Sequence, residues 1–107
     1  MNYQPKFTAR YIKHFRALPS LQSRIEKMEA RLLDDPYLNT EPLTRKSGTN
    51  LKGCRSAHVV QNFRIIFVIC EECRKEPACE YCYCEGLSEQ TVVFLTVGPH
   101  DKAYKMQ

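Results

Sequence analysis

A guanidinium and an imidazole set across a tight turn are suited to holding a phosphate, and the chain places Arg64 and His58 in that relation. Both lie in Leu51–Cys70, LKGCRSAHVVQNFRIIFVIC. The stretch reads as a β-hairpin: Cys54–Val60 is half polar, Phe63–Cys70 is β-branched and apolar, and Gln61–Asn62 lie between them. Arg64 interrupts the apolar arm just after the turn, where a cation contributes nothing to a core. Its place points to a wet face or to a function. Arg55 lies on the facing arm. His100 follows Gly98–Pro99 and precedes Asp101, and an imidazole with an ordinary pKa of about 6.5 exchanges a proton near neutrality.

Turn length decides whether His58 joins Arg64. A two- or four-residue turn sets Arg64 opposite Val59 and sends His58 to the other side. A three-residue turn pairs Val60 with Arg64 and brings His58 onto its face. A His58 turned toward helices would be a buried structural residue. Both registers fit the sequence.

A second chemistry is carried by sulfur. Five of the six cysteines fall within fifteen residues: Cys70, Cys73, Cys79, Cys82 and Cys84. Cys-Glu-Glu-Cys and Cys-Glu-Tyr-Cys are paired knuckles, the spacing by which thiolates share a tetrahedral zinc. The expected ligands are Cys70, Cys73, Cys79 and Cys82, with Cys84 able to replace one. Such a closed site is structural, because saturated coordination leaves no place for water. Disulfides, a redox switch or free thiols are the alternatives. Cys54, alone on the first hairpin arm, reads as a small core residue.

At 107 residues the chain has the length of one domain, and 43% hydrophobic with 26% charged residues is the balance of a globular protein. The longest apolar run, Ile65–Cys70, is far too short to span a bilayer, and MNYQPKFTAR lacks the apolar core of a signal peptide; the expected location is the cytoplasm. The net charge of +4 is unevenly spread. Residues 70–90 hold six acidic and two basic side chains, a formal −4, which leaves fourteen basic against six acidic elsewhere, or +8. A body this basic suits a polyanion or an acidic protein; surplus charge that only maintains solubility is the bland alternative.

The elements that must position these groups follow from periodicity. Tyr3–Phe7 can form a first strand. Thr8 can cap a helix in which Tyr11, Phe15 and Leu18 recur at helical spacing, its other face carrying Arg10, Lys13, His14 and Arg16. After Pro19, Ser20 is available to cap a second helix with an apolar stripe of Leu21, Ile25, Met28 and Leu32, ending at Asp35–Pro36. Residues 36–50 read as irregular, a loop bringing Arg45, Lys46 and Lys52 to the sheet as phosphate contacts or as solvated charge. Thr91–Val97 is the last strand, followed by a sharp turn at Gly98–Asp101. The expected fold is α+β, in the order β–α–α–β–β–β: a small, mostly antiparallel four-stranded sheet with a two-helix hairpin on one face and the other face open.

The segments LKG, SAHVVQNFRIIFVI and VVFLTVGPHDKAY together resemble the RelE/ParE superfamily of bacterial and archaeal toxins, nearest the RelE, YoeB and YafQ type. The resemblance spans a RelE-like domain over residues 1–107 apart from the acidic, cysteine-rich insertion at about 70–90, which is this chain's own. It implies an endoribonuclease that cuts messenger RNA in the ribosomal A site without a catalytic metal and is inhibited by a cognate acidic antitoxin. In that chemistry the 2′-hydroxyl attacks the adjacent phosphate, and a base, an acid and cations are required. By position, Arg64 would stabilise the phosphorane, His100 would act as acid or base, and Tyr104 would stack on or orient a nucleotide. His58 falls where YafQ-like members keep a catalytic histidine. Lys52 and Arg55, with Arg45 and Lys46, would bind substrate. A ParE-like gyrase poison without nuclease chemistry, or an inactive zinc-stapled binding module, are the other readings.

Overall fold

Every residue from Thr91 to Gly98 is buried, as expected of a strand with a cover on both faces. A computed structural model describes residues 2–46 and 48–106, so Ser47 of the basic loop lies outside the described residues. The elements are β1 (Gln4–Phe7), α1 (Ala9–Arg16), α2 (Gln22–Asp34), β2 (Glu41–Pro42), β3 (Arg45–Lys46), β4 (Thr49–Asn50), β5 (Cys54–His58), β6 (Phe63–Ile69), α3 (Cys70–Cys73), β7 (Thr91–Pro99) and α4 (His100–Tyr104). The α+β fold expected from the sequence is present, with one strand more in the sheet. Its order is β1-β7-β6-β5-β2, with β1 parallel to β7 and the other pairs antiparallel. The extra strand β2 and the β3–β4 ribbon come from the span read as irregular. Their pairs are too short to leave an alternating pattern.

Thr8 caps α1 as its sequence position suggests. Its Oγ1 accepts from the Tyr11 backbone N–H at 3.1 Å and shares its own proton with the carbonyls of Phe94 and Leu95 at 3.1 and 2.9 Å. The cap thereby ties helix to sheet. Ser20 does not cap α2. It sits inside a 3-10 turn, Pro19–Leu21, that leads into the helix, so Leu21 falls at the cap position.

The helical layer covers one face. Tyr11, Ile25, Leu32 and Leu33 bury Ala57, Ile65, Phe67, Ile69, Val92, Phe94 and Val97. Phe94 is central, with ring centroids 5.0 Å from Phe7 and 5.3 Å from Tyr11. The Tyr11 hydroxyl donates to Glu29 Oε2 at 2.7 Å, which satisfies the polar end of a buried ring.

The second face is not open along its length. Cys54, Ile66, Val68, Val93 and Leu95 lie beneath Leu43, Leu51, Cys70, Cys73, Cys84, Ala103, Tyr104 and Met106, with Tyr81 and Leu87 packed alongside. The cysteine-rich segment and α4 form this second cover. Leu95 joins it through a bulge: Ile66 pairs with Thr96 but Phe67 pairs with Phe94, leaving Leu95 as the extra residue. No helix among the described residues is long and apolar enough to cross a membrane.

Both covers are tied at α3. Tyr3 and Tyr37 donate to Glu71 Oε1 at 2.6 and 2.9 Å. These bonds outweigh desolvation and hold the Glu71 carboxyl below its usual range, while the Tyr3 hydroxyl is pushed up to about 12. A carboxyl lowered on folding contributes stability that is complete above its unfolded pKa of about 4.3 and is lost as pH falls through its folded value. Glu71→Gln should therefore flatten the acid limb of the stability–pH curve, read by urea unfolding between neutral and acid pH. Thr8→Ala should cost about 1–2 kcal/mol in the same assay at neutral pH through loss of the cap.

Candidate functional site

The hairpin has an odd-length turn. His58 and Arg64 are direct cross-strand partners, and the Val59 N–H donates to the Phe63 carbonyl at 3.0 Å, leaving Val60, Gln61 and Asn62 in the loop. The turn has the three-residue length of one case drawn from the sequence but is centred one residue earlier, so Arg64 pairs with His58 rather than Val60, with the same consequence for facing. His58 and Arg64 share a face, with Cβ atoms about 5 Å apart by cross-strand geometry. That face is the one away from the helices. Gln61 at φ 49° makes the turn possible and aims its carbonyl inward. His58 Nε2 lies 2.6 Å from that oxygen, and Arg64 donates to it at 3.3 Å and to the Phe63 carbonyl at 3.2 Å. A carbonyl only accepts, so the contact assigns the proton to His58 Nε2 and leaves Nδ1 as the basic nitrogen.

Gly98 is the partner of Arg64 on β7, so Gly98, Arg64 and His58 form one row across the sheet. A Cβ at Gly98 would meet nothing within 4 Å, so the place beside the guanidinium is open. Gly98 also lines a cleft of about 360 Å³ with His14, Ala17, Leu18, Val97, Pro99 and Lys102. Here His14 Nδ1 is 2.8 Å from the Thr96 hydroxyl. Burial, then the charges of Arg10 and Lys13, push its pKa down, so His14 is a neutral hydrogen-bonding wall rather than a cation.

His100 reaches the same end of the sheet. Its backbone N–H donates to the Asn62 carbonyl at 2.6 Å, locking the start of α4 to the hairpin turn. Its Nδ1 stands 3.4 Å from Asp101 Oδ1, which favours Nε2 as the proton-exchanging nitrogen. The Tyr104 ring meets His100 edge-on at 4.4 Å, and its hydroxyl donates to Ser56 Oγ at 3.3 Å. At 4% exposure Tyr104 has no open face on which a base could stack; it sets the His100 ring. Lys46 Nζ lies 5.7 Å from the Tyr104 ring centroid and 3.8 Å from Glu41.

The structure therefore sets Arg64 and His58 in one cross-strand row and, at the same end of the sheet, joins His100 to Tyr104 and Tyr104 to Lys46. Arg55 is elsewhere. It alternates with His58 along β5, and its guanidinium grips Glu72 through bonds of 2.9–3.1 Å, donates to Thr40 at 3.3 Å and lies 4.9 Å from the Tyr37 ring. Lys52 lines a cleft with Glu72, Lys75 and Glu76. Arg45 donates to the Gly48 carbonyl at 3.0 Å. Of the cysteines, Cys73, Cys82 and Cys84 hold their sulfurs within 4.8 Å of one another. Two contributors escaped the sequence reading: Ser56, an unremarked hydroxyl between Arg55 and Ala57, and Lys102, whose only signal was its place in the GPHDKAY segment.

No protein-family model and no curated protein matches the chain. Solved structures do. The chain is similar to the RelBE2 toxin–antitoxin complex from Mycobacterium tuberculosis, at 21% identity over 92% of this chain and 99% of that one, with a TM-score of 0.64. It is similar to YafQ from E. coli strain BL21(DE3), at 14% identity over 94% and 97%, with a TM-score of 0.62. The E. coli DinJ–YafQ toxin–antitoxin complex gives 16% identity over 94% and 96%, and 0.60. The fold is thus the RelE/YafQ-like fold that the sequence resembles.

Arg64 is half-buried, and its described hydrogen bonds go to backbone carbonyls at the turn. Arg64→Ala should change unfolding stability by no more than about 1 kcal/mol, measured by urea denaturation. A variant that fails to fold would make Arg64 a structural residue.

Proposed function

We propose that the chain is the toxin of a type II toxin–antitoxin system and acts as a ribosome-dependent mRNA endoribonuclease. The observation that carries this reading is the cross-strand pair of Arg64 and His58 beside His100, on the uncovered end of a RelE/YafQ-like sheet. The phosphate to be cut sits against the Arg64 guanidinium, in the space that Gly98 leaves. One imidazole takes the proton of the 2′-hydroxyl, which attacks the phosphorus. The other returns a proton to the departing 5′-oxygen, so that a 2′,3′-cyclic phosphate and a 5′-hydroxyl result. Charge that builds on the phosphorane oxygens is met by Arg64, an electrostatic contribution worth about 3 kcal/mol in comparable oxyanion sites. Tyr104 positions His100, and Lys46 and Lys102 lie where flanking phosphates would pass. An acidic antitoxin answers the +8 carried outside residues 70–90.

Induced expression in bacteria tests this. Wild-type chain should arrest translation early and leave in-frame cuts in mRNA, mapped by primer extension. Arg64→Ala and His100→Ala should each reduce cutting by about 10²-fold or more while the purified variants stay folded. Relaxed plasmid supercoiling with intact mRNA would instead indicate a gyrase poison. Unimpaired growth would indicate a binding module.

A further inference from the structure

The six cysteines come from β5 (Cys54), α3 (Cys70 and Cys73) and the loop that follows it (Cys79, Cys82 and Cys84), and they gather in the second cover with Cys82 at its exposed edge. Cys73, at the end of α3, is the hub. Its sulfur is 3.3 Å from that of Cys79 and groups with those of Cys82 and Cys84 within 4.8 Å. The two remaining thiols lie outside this set, Cys54 on β5 and Cys70 at the start of α3. We propose that Cys73, Cys79, Cys82 and Cys84 bind one zinc ion as a tetrathiolate, with Cys54 and Cys70 outside the ligand set.

The set differs from the paired knuckles that spacing suggests, in which Cys70 is a ligand and Cys84 a reserve. A zinc ion about 2.3 Å from each sulfur places the sulfurs about 3.8 Å apart. The 3.3 Å contact of Cys79 with Cys73 is already shorter than that value and the Cys73, Cys82 and Cys84 sulfurs lie within 4.8 Å of one another, so closure on the ion requires Cys79 to turn toward Cys82 and Cys84. Cys79 is held toward the hub from behind. Gly53 has φ +87°, and a Cβ there would stand 2.7 Å from Cys79 Cβ and 2.8 Å from its Sγ, so only glycine admits the Cys79 side chain. The loop bearing Cys79 is tied down by Asn50, which donates to the Ala78 carbonyl at 2.9 Å. Cys84 is fixed by Arg74, which donates to its carbonyl at 2.6 Å and also to that of Leu87. The same guanidinium supplies a cation next to a centre that would carry two net negative charges. Four thiolates suit a tetrahedral zinc, and a set with no open position makes the site structural.

The metal has a physical reason to be there. The segment from Glu71 to Gln90 contributes few large apolar side chains to its cover, chiefly Tyr81 and Leu87, and carries six carboxylates. Such a segment cannot hold itself down by burial alone. A tetrathiolate would cross-link the loop to α3, which continues directly from β6, and so hold the segment in its folded shape over the sheet.

The full chain should be purified under reducing conditions and its metal counted by elemental analysis, then reloaded with Co(II) for absorption spectroscopy. One zinc per chain is expected, with cobalt bands of a tetrahedral four-thiolate centre. Cys79→Ser should lose zinc stoichiometry and thiolate-to-cobalt intensity, and Gly53→Ala, with every cysteine intact, should also lose zinc. Cys70→Ser and Cys54→Ser should keep the zinc and the four-thiolate spectrum. Reduced wild-type protein without zinc, or with iron in its place, overturns the proposal without reference to any variant's folding. So does a Cys70→Ser variant that loses the metal while Cys79→Ser keeps it.

Discussion

A sheet that is apolar on both faces must be covered twice, and here the second cover stops one row short. The run from Ile65 to Ile69 pairs with Val92–Val97 and is fully buried on either side. Helices α1 and α2 shield one side. The cysteine-rich segment and α4 shield the other as far as the row of Ile66 and Ser56. The next row, Gly98–Arg64–His58, lies beyond that shield, with Arg64 half-buried and His58 exposed. Burying that row would strand a guanidinium without a charged partner, a cost of several kcal/mol. The same sequence that builds the core therefore dictates where the core ends.

The chemistry of the uncovered row follows from how its groups are held. Two histidines each have one nitrogen engaged, His58 by the Gln61 carbonyl and His100 by the Asp101 carboxylate. In each ring the other nitrogen takes no part in these two contacts. Arg64 is anchored through the turn carbonyls, and no ion pair with a carboxylate is found for it among the described residues. Arg55 is the contrast: neutralised by Glu72 and stacked on Tyr37, it serves as a brace between the segment after α2 and α3. Two arginines nine residues apart on one hairpin thus do different work because alternation puts them on opposite faces.

Much of this was legible in the residues and some was not. Helical periodicity and Thr8 located α1 and its cap, and the β-branched run located β6 and β7. The facing of His58 was not legible, because a period of two converts one residue of turn length into the opposite side of the sheet, and Val59–Asn62 permits several turns. Ser20 was misleading because Pro19 opens a 3-10 turn before α2. The open second face was misread because Leu43, Leu51 and Tyr104 are separated in sequence, and only the tertiary fold assembles them into a cover. The cysteine spacing pointed to a cluster, but the approach of Cys79 to Cys73 rests on Gly53, a residue distant from any knuckle pattern.

The proposal that the His58–Arg64 row binds phosphate can be tested without relying on turnover. A short RNA made uncleavable by a 2′-deoxy substitution at the cut position can be titrated into isotopically labelled protein and followed by NMR at the imidazole and guanidinium signals. The expected result is a shift of His58, His100 and the Arg64 side chain together, absent in Arg64→Ala. Shifts confined to Lys52, Lys75 and the cysteine-rich segment, with the His58–Arg64 row silent, would contradict it.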